Sequence, residues 1–239
     1  MDFALIPQKM KDLVSILFPS AALSTTPMNF QLLNEKLLEV GLQNEEVFAK
    51  RGSMIATTGE IQFAPAALGN GGLQSGAMRA ATNENLNLMR ATGRGTVLYG
   101  RRGLHVTIVK LSGETLYIES ESVLCFDGRL RSGTYFQGNS GGVGGIVRGA
   151  ATGQGLWTTT LEGAGEVAIL SEGETVALEV GAQTSVFVDP NAYIGHKGNL
   201  QSAIHTDVSW KTLVGQGSGE SFQLKFSGQG TVYVQPSER

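Results

Sequence analysis

The chain is 239 residues long with a net charge of −3, and 16% of its residues are charged, against roughly a quarter in an average globular chain. This balance excludes long-range electrostatic attraction to nucleic acid or to an anionic membrane. A hydrophobic share of 41% suffices for a core, yet no run approaches the roughly 20 apolar residues of a membrane span. The lone cysteine, Cys125, excludes an intrachain disulfide and a thiolate metal cluster, and suits a reducing, cytoplasmic setting.

Residues 1–26 read as an extension outside the body. Lys9 and Lys11 precede an apolar run, but Pro19 interrupts it and Asp2 and Asp12 flank it, unlike a secretory signal. A short amphipathic helix over 7–18 is expected, with Met10, Leu13, Val14 and Leu17 sharing one face.

The body, residues 27–239, opens with apolar runs at Phe30 and at Leu37 to Val40, and Gly41 to Glu46 reads as a turn before a return strand, Val47 to Lys50. Gly59 to Phe63 alternates as a half-buried strand does, and residues 64–83 form a long connection. Glu84 to Arg90 resumes as a strand, which Gly93-Arg-Gly95 turns back into Thr96 to Tyr99. The next stretch repeats this scheme: Leu104 to Leu111, a turn at Ser112-Gly113, then Glu114 to Ser120. Val123 to Asp127 is nearly all apolar and reads as a central strand. A glycine-rich connection over 138–149 precedes Trp157 to Leu161 and Val167 to Leu170. The last third carries Glu174 to Val180, Ser185 to Asp189, a turn at Asp189-Pro190, then Thr206 to Leu213, Phe222 to Phe226 and Thr231 to Val234.

Two motifs recur in one order. Asn44-Glu45-Glu46-Val47, Gly113-Glu114-Thr115-Leu116 and Gly173-Glu174-Thr175-Val176 are followed 49, 50 and 55 residues later by Gly93-x-Gly95, Gly163-x-Gly165 and Gly228-x-Gly230. This predicts three internal repeats of about 70 residues, spanning about 27–99, 100–169 and 170–239. The expected fold is all-β with some two dozen short strands. Each repeat is a small β-sandwich or a double-stranded β-helix, and the three surround a pseudo-threefold axis.

The stretches Lys50-Arg51-Gly52-Ser53-Met54, Glu84-x-Leu86, Gly93-x-Gly95-x-Val97 and, above all, Gly219-Glu220-Ser-Phe222-Gln-Leu-Lys-Phe226-Ser-Gly228-Gln-Gly230-Thr-Val232-Tyr-Val-Gln235 resemble the altered-inheritance-of-mitochondria family, over about residues 28–236. The resemblance implies three TRAP-like β units, related to the trp RNA-binding attenuation protein, whose single-unit subunits form rings. Eukaryotic members are associated with mitochondrial inner-membrane organisation. The family has no established catalytic residues, so none is carried over.

Candidate chemistry is sparse. The histidines are His105, His196 and His205, and the last two stand near Asp189 and Asp207. A two-histidine, one-carboxylate metal site is conceivable, but the spacing matches no ligand pattern, so surface or turn histidines are expected, with His105 pointing outward from its strand. Ser140, in Gly138-Asn139-Ser140-Gly141, lacks a nucleophile elbow, and Cys125 sits in an apolar run that predicts a buried, unreactive thiol. The glycines of 138–149, with Arg148 beside them, lack the Lys and Ser/Thr of a phosphate loop and read as a connection. Arg90, Arg94, Arg101 and Arg102 crowd the first Gly-x-Gly motif, and Arg129 and Arg131 follow the central strand. Such arginines contact phosphates in RNA-binding proteins, but no stacking aromatics are interleaved with them.

The sequence therefore assigns no catalytic, cofactor-binding or metal-ligating residue and no cofactor. The expected role is non-catalytic: a self-associating β scaffold or protein-interaction domain, a homo-oligomer with a trimer as the first expectation. Its partner is an unidentified protein, with any membrane association indirect. The alternatives are a ligand-binding, metal-binding or hydrolytic site near His196 and His205, and RNA binding by analogy with the TRAP fold.

Overall fold

The computed structural model describes residues 28–66, 87–136, 157–205 and 223–237. The expected helix over 7–18, most of the connection over 64–83, the glycine-rich segment with Ser140 and Arg148, and the expected strand Thr206 to Leu213 lie outside the described residues. Within them the chain is all-β. The strands are β1 (Asn29–Asn34), β2 (Leu37–Lys50), β3 (Met54–Ala66), β4 (Leu88–Tyr99), β5 (His105–Glu119), β6 (Val123–Asp127), β7 (Arg131–Phe136), β8 (Trp157–Ser171), β9 (Val176–Val180), β10 (Val186–Val188), β11 (Tyr193–His205) and β12 (Gln223–Val234). They form one twelve-stranded sheet in the order β10-β12-β11-β5-β8-β6-β2-β4-β3, with β1 on β2, β7 on β8 and β9 on β12. Among the described residues, hydrogen bonding is thus continuous through one open sheet.

Among the described residues there are twelve strands in place of some two dozen, because places read as turns are bends within long strands. Gly93-Arg94-Gly95 lies in the middle of β4, whose neighbours β2 and β3 are bonded on both sides of it. At Gly93 φ is +123°, and a Cβ there would collide with the carbonyl oxygen of Glu60 on β3. Only glycine lets the strand bend so steeply while its neighbour stays in register. Gly228 in β12 repeats this, with φ +120° and the carbonyl oxygen of Asn199 in the way.

Asn44 and Gly113 are likewise mid-strand. The β2–β4 register shifts between Gln43 and Glu46, and the β5–β8 register between Ser112 and Thr115. Each extra residue is a β-bulge, and it re-phases the alternation. In β2 the buried residues Leu38, Val40 and Leu42 are followed by Val47 and Ala49, and in β5 Val109 and Leu111 are followed by Leu116 and Ile118. An uninterrupted strand would turn one half of each set to water. The acid of each motif serves the bulge: Glu45 Oε2 accepts from the Gln43 amide at 2.5 Å, and Glu114 Oε2 from the Ser112 amide at 2.6 Å. Gly173 has no such place. It precedes β9, and the partner facing Gly228 is β11, around Asn199 and Leu200.

The core falls into three clusters. One joins β1, β2 and β4 to β5, β6 and β8 around Leu38, Tyr99 and Leu124. A second spans β5, β6 and β8 and takes in Ile194 and Tyr233. A third lies within β9 to β12, around Tyr193, Phe226 and Val232. β6 is buried at all five positions, as its apolar sequence predicts.

Candidate functional site

The largest departure from the sequence reading is β11, which holds His196. Its sequence, Tyr-Ile-Gly-His-Lys-Gly-Asn-Leu, has glycines where alternation is expected, and so hides a strand paired with β12 along its whole length. His196 is therefore neither a surface nor a turn residue; it is only 6% exposed. Its Nδ1 lies 2.6 Å from the Tyr193 hydroxyl. Its ring stacks on Tyr117 of β5 at 4.9 Å, and Phe226 stands 5.3 Å away. Burial lowers its pKa to about 4 because charging the ring would leave an imidazolium among aromatic rings. The neutral ring is a structural polar group satisfied by tyrosine.

His205, at the other end of β11, packs edge-on against Phe187 at 5.0 Å. Asp189 caps the expected turn, with its Oδ1 accepting from the Asn191 amide at 2.7 Å. His196, His205 and Asp189 thus serve three separate neighbourhoods, and among the described residues no group of three His, Cys, Asp or Glu side chains could hold a metal ion. His105, at the start of β5, is half-buried, with its side chain 25% exposed and Nε2 3.5 Å from the exposed Glu35 carboxylate. Cys125 is fully buried in β6, and burial pushes its thiol well above the usual range.

The arginines disperse. Arg90 stands 3.7 Å from Glu46, Arg94 is opposite Glu60 on β3, Arg129 chelates Asp127, and Arg131 bonds Glu162 at 2.6 Å. Arg101 reaches the carbonyl of Arg51 beyond the end of β4. Three of the six, Arg90, Arg129 and Arg131, are paired with carboxylates of the sheet itself.

Two polar joints tie neighbouring parts of the sheet together, and the sequence reading singled out neither. Lys50, at the end of β2, is buried. Its ammonium donates to the carbonyls of Ser120 and Glu121 at 3.3 and 3.1 Å and to Glu121 Oε2 at 2.7 Å. It thereby fastens the 3-10 turn Ser120–Ser122, between β5 and β6, against β2. Burial lowers the Lys50 pKa. Lys50→Met is expected to cost about 2 kcal/mol, since it removes a charged donor from the part-buried carbonyls of Ser120 and Glu121; a urea midpoint that falls at constant slope checks this. At the second joint, Lys197 of β11 donates to Glu114 at 2.8 Å and to the carbonyl of Lys110 at 3.0 Å. The bond from Lys197, with help from backbone amides, holds the Glu114 carboxyl at a pKa of about 2.

The exposed apolar surface is concentrated. Among the described residues, the large hydrophobic side chains left exposed are Leu32, Leu33, Met54, Ile55, Val176 and Phe187. All of them lie on β1, β3, β9 or β10, strands that among the described residues are bonded to the sheet on one side only. β3 and β10 are the two ends of the sheet, and Ile55 and Phe187 upon them are 61% and 45% exposed.

These features define an all-β protein built on one open antiparallel sheet, with its unsatisfied surface at the sheet's margins. The chain belongs to the mitochondrial biogenesis AIM24 family, whose model matches residues 30–237. A crystal structure of a protein from Streptococcus pyogenes is similar in fold, with a TM-score of 0.63 and 18% identity over 89% of this chain and 94% of that one. No curated protein matches the sequence. Among the described residues no helix is long and apolar enough to cross a membrane.

Proposed function

We propose that the protein is a non-catalytic β scaffold that self-associates and offers its surface to a protein partner, and through that partner to any membrane-organising assembly. The sheet is read as three TRAP-like units, about 27–99, 100–169 and 170–239, in a cytoplasmic homo-oligomer for which a trimer is the starting expectation. The observation that carries this reading is that, among the described residues, the exposed large hydrophobics are confined to strands with an unpaired side. Exposed strand edges invite further pairing, and natural sheets blunt them with charge or proline or cover them. Over Met54 to Gly59 the outermost strand β3 carries no charge, and Pro65 comes only near its end. Multi-angle light scattering is expected to show a mass that rises above the 25.2 kDa of one chain as concentration increases. A strict monomer at high concentration would overturn the proposal.

A further inference from the structure

The two ends of the sheet match each other in a register that the molecule itself displays twice. Within the sheet, β6 lies between β8 and β2. It pairs with β2 as Val47 opposite Asp127, Phe48 opposite Phe126 and Ala49 opposite Cys125. Likewise β11 lies between β12 and β5, with Leu116 opposite Lys197, Tyr117 opposite His196 and Ile118 opposite Gly195. The two junctions share their geometry. In each, the entering strand has just passed a bulge, at Leu124 in β6 and at Ile194 in β11, and both bulge residues are fully buried. In each, an aromatic residue of the receiving strand meets a ring: Phe48 meets Phe126 at 5.5 Å, and Tyr117 stacks on His196.

One strand of each kind is left over. β3 has the same bulge at the same place, between Met54 and Ala56, so Ile55 corresponds to Leu124 and Ile194. Where those two are buried, Ile55 is 61% exposed, and Ala56, Thr57 and Thr58 beyond it are exposed as well. β10 is the counterpart of the receiving strands. Val186, Phe187 and Val188 face Phe226, Lys225 and Leu224 of β12, as Val47, Phe48 and Ala49 face Ala91, Arg90 and Met89 of β4. Phe187 thus occupies the position of Phe48 and Tyr117, with no strand on its outer side among the described residues.

We propose that β3 of one copy pairs antiparallel with β10 of a second copy, joining copies head to tail through a third junction of the kind found twice within the chain. In that register Val186 stands opposite Thr58, Phe187 opposite Thr57 and Val188 opposite Ala56, and the contact buries Ile55 and Phe187. The occupant is another copy because the chain supplies both halves of the junction at opposite ends of its own sheet. A head-to-tail contact of this type grows into a ring where the rotation closes and into a filament where it does not. This inference rests on the self-association proposed above and names its edges.

The register makes a direct test possible, since residues directly opposite in an antiparallel pair lie within disulfide reach. Thr57→Cys and Phe187→Cys chains, both altered at exposed positions, are mixed in equal amounts and mildly oxidised; Cys125, being buried, takes no part. A disulfide-linked dimer is expected in the mixture, at least tenfold above that in either variant alone. The Thr58→Cys and Val186→Cys pair gives the same outcome if Phe187→Cys lowers the melting temperature. A dimer formed by Thr57→Cys alone would overturn the proposal in favour of β3 pairing with itself. A Thr57→Cys/Phe187→Cys chain that links internally as a monomer would overturn it in favour of closure within one chain. If the unaltered protein self-associates and neither mixture cross-links, the junction is wrong while the scaffold reading stands; if the unaltered protein is a strict monomer, both fall.

Discussion

Acidification from pH 7.5 to pH 4.5 is expected to cost the fold about 2.5 kcal/mol through His196 alone. The group's pKa is about 4 in the folded chain, lowered by burial, against about 6.5 in an unfolded one. Between these values the unfolded chain binds a proton that the folded chain refuses. Stability is therefore complete above pH 6.5, declines as pH falls towards 4, and loses nothing further from this residue below that. Glu114 works in a different window: its pKa of about 2, set first by the bond from Lys197, contributes stability that is lost only as pH falls below the ordinary carboxylate range. The two are separated by measuring denaturant midpoints at pH 7.5, 5.5 and 4.5. His196→Phe is expected to lower stability at pH 7.5, where the bond between the Tyr193 hydroxyl and Nδ1 is lost, and to flatten the decline between 6.5 and 4. A variant whose decline in that interval matches the unaltered protein would show that His196 is not the titrating group.

Valine at Gly93 or at Gly228 is expected to cost at least about 3 kcal/mol each, from a backbone conformation closed to β-branched residues and a clash with the neighbouring strand. The expected readout is a melting temperature lowered by about 10 °C or an insoluble product, at both positions alike. Gly41 is the control. Its φ is not positive, and an added Cβ would meet nothing within 4 Å, so Gly41→Ala should leave stability within about 0.5 kcal/mol. Equal effects at Gly41 and Gly93 would mean that β4 does not bend around its glycine.

These expectations show how far a sequence carries. The β character of Leu104 to Leu111 and of Val123 to Asp127 was legible because burial and β-branching are properties of the segment itself. The recurrence of Gly-x-Gly was legible for the same reason, but its meaning was not. A glycine with positive φ looks alike in a hairpin turn and in a steeply bent strand; the difference lies in whether the residues on either side bond to the same neighbour. For β4 they do: Thr92 and Thr96, on the two sides of the bend, pair with Glu46 and Gly41 of β2. β11 was missed because Gly195 and Gly198 break its alternation, and with it went the burial of His196, which depends on Tyr117 of β5 and Phe226 of β12.

By itself the sequence determined that the chain is all-β, that its bends fall at particular glycines and acids, and that Cys125 is buried, since backbone preference and apolar runs act over a few neighbouring residues. Only the tertiary structure decided that the strands form one sheet, that His196 is buried, and that Ile55 and Phe187 stand on open edges. Those outcomes turn on which strand lies beside which, and strand partners are chosen by contacts between residues far apart in the chain, where no local pattern reaches.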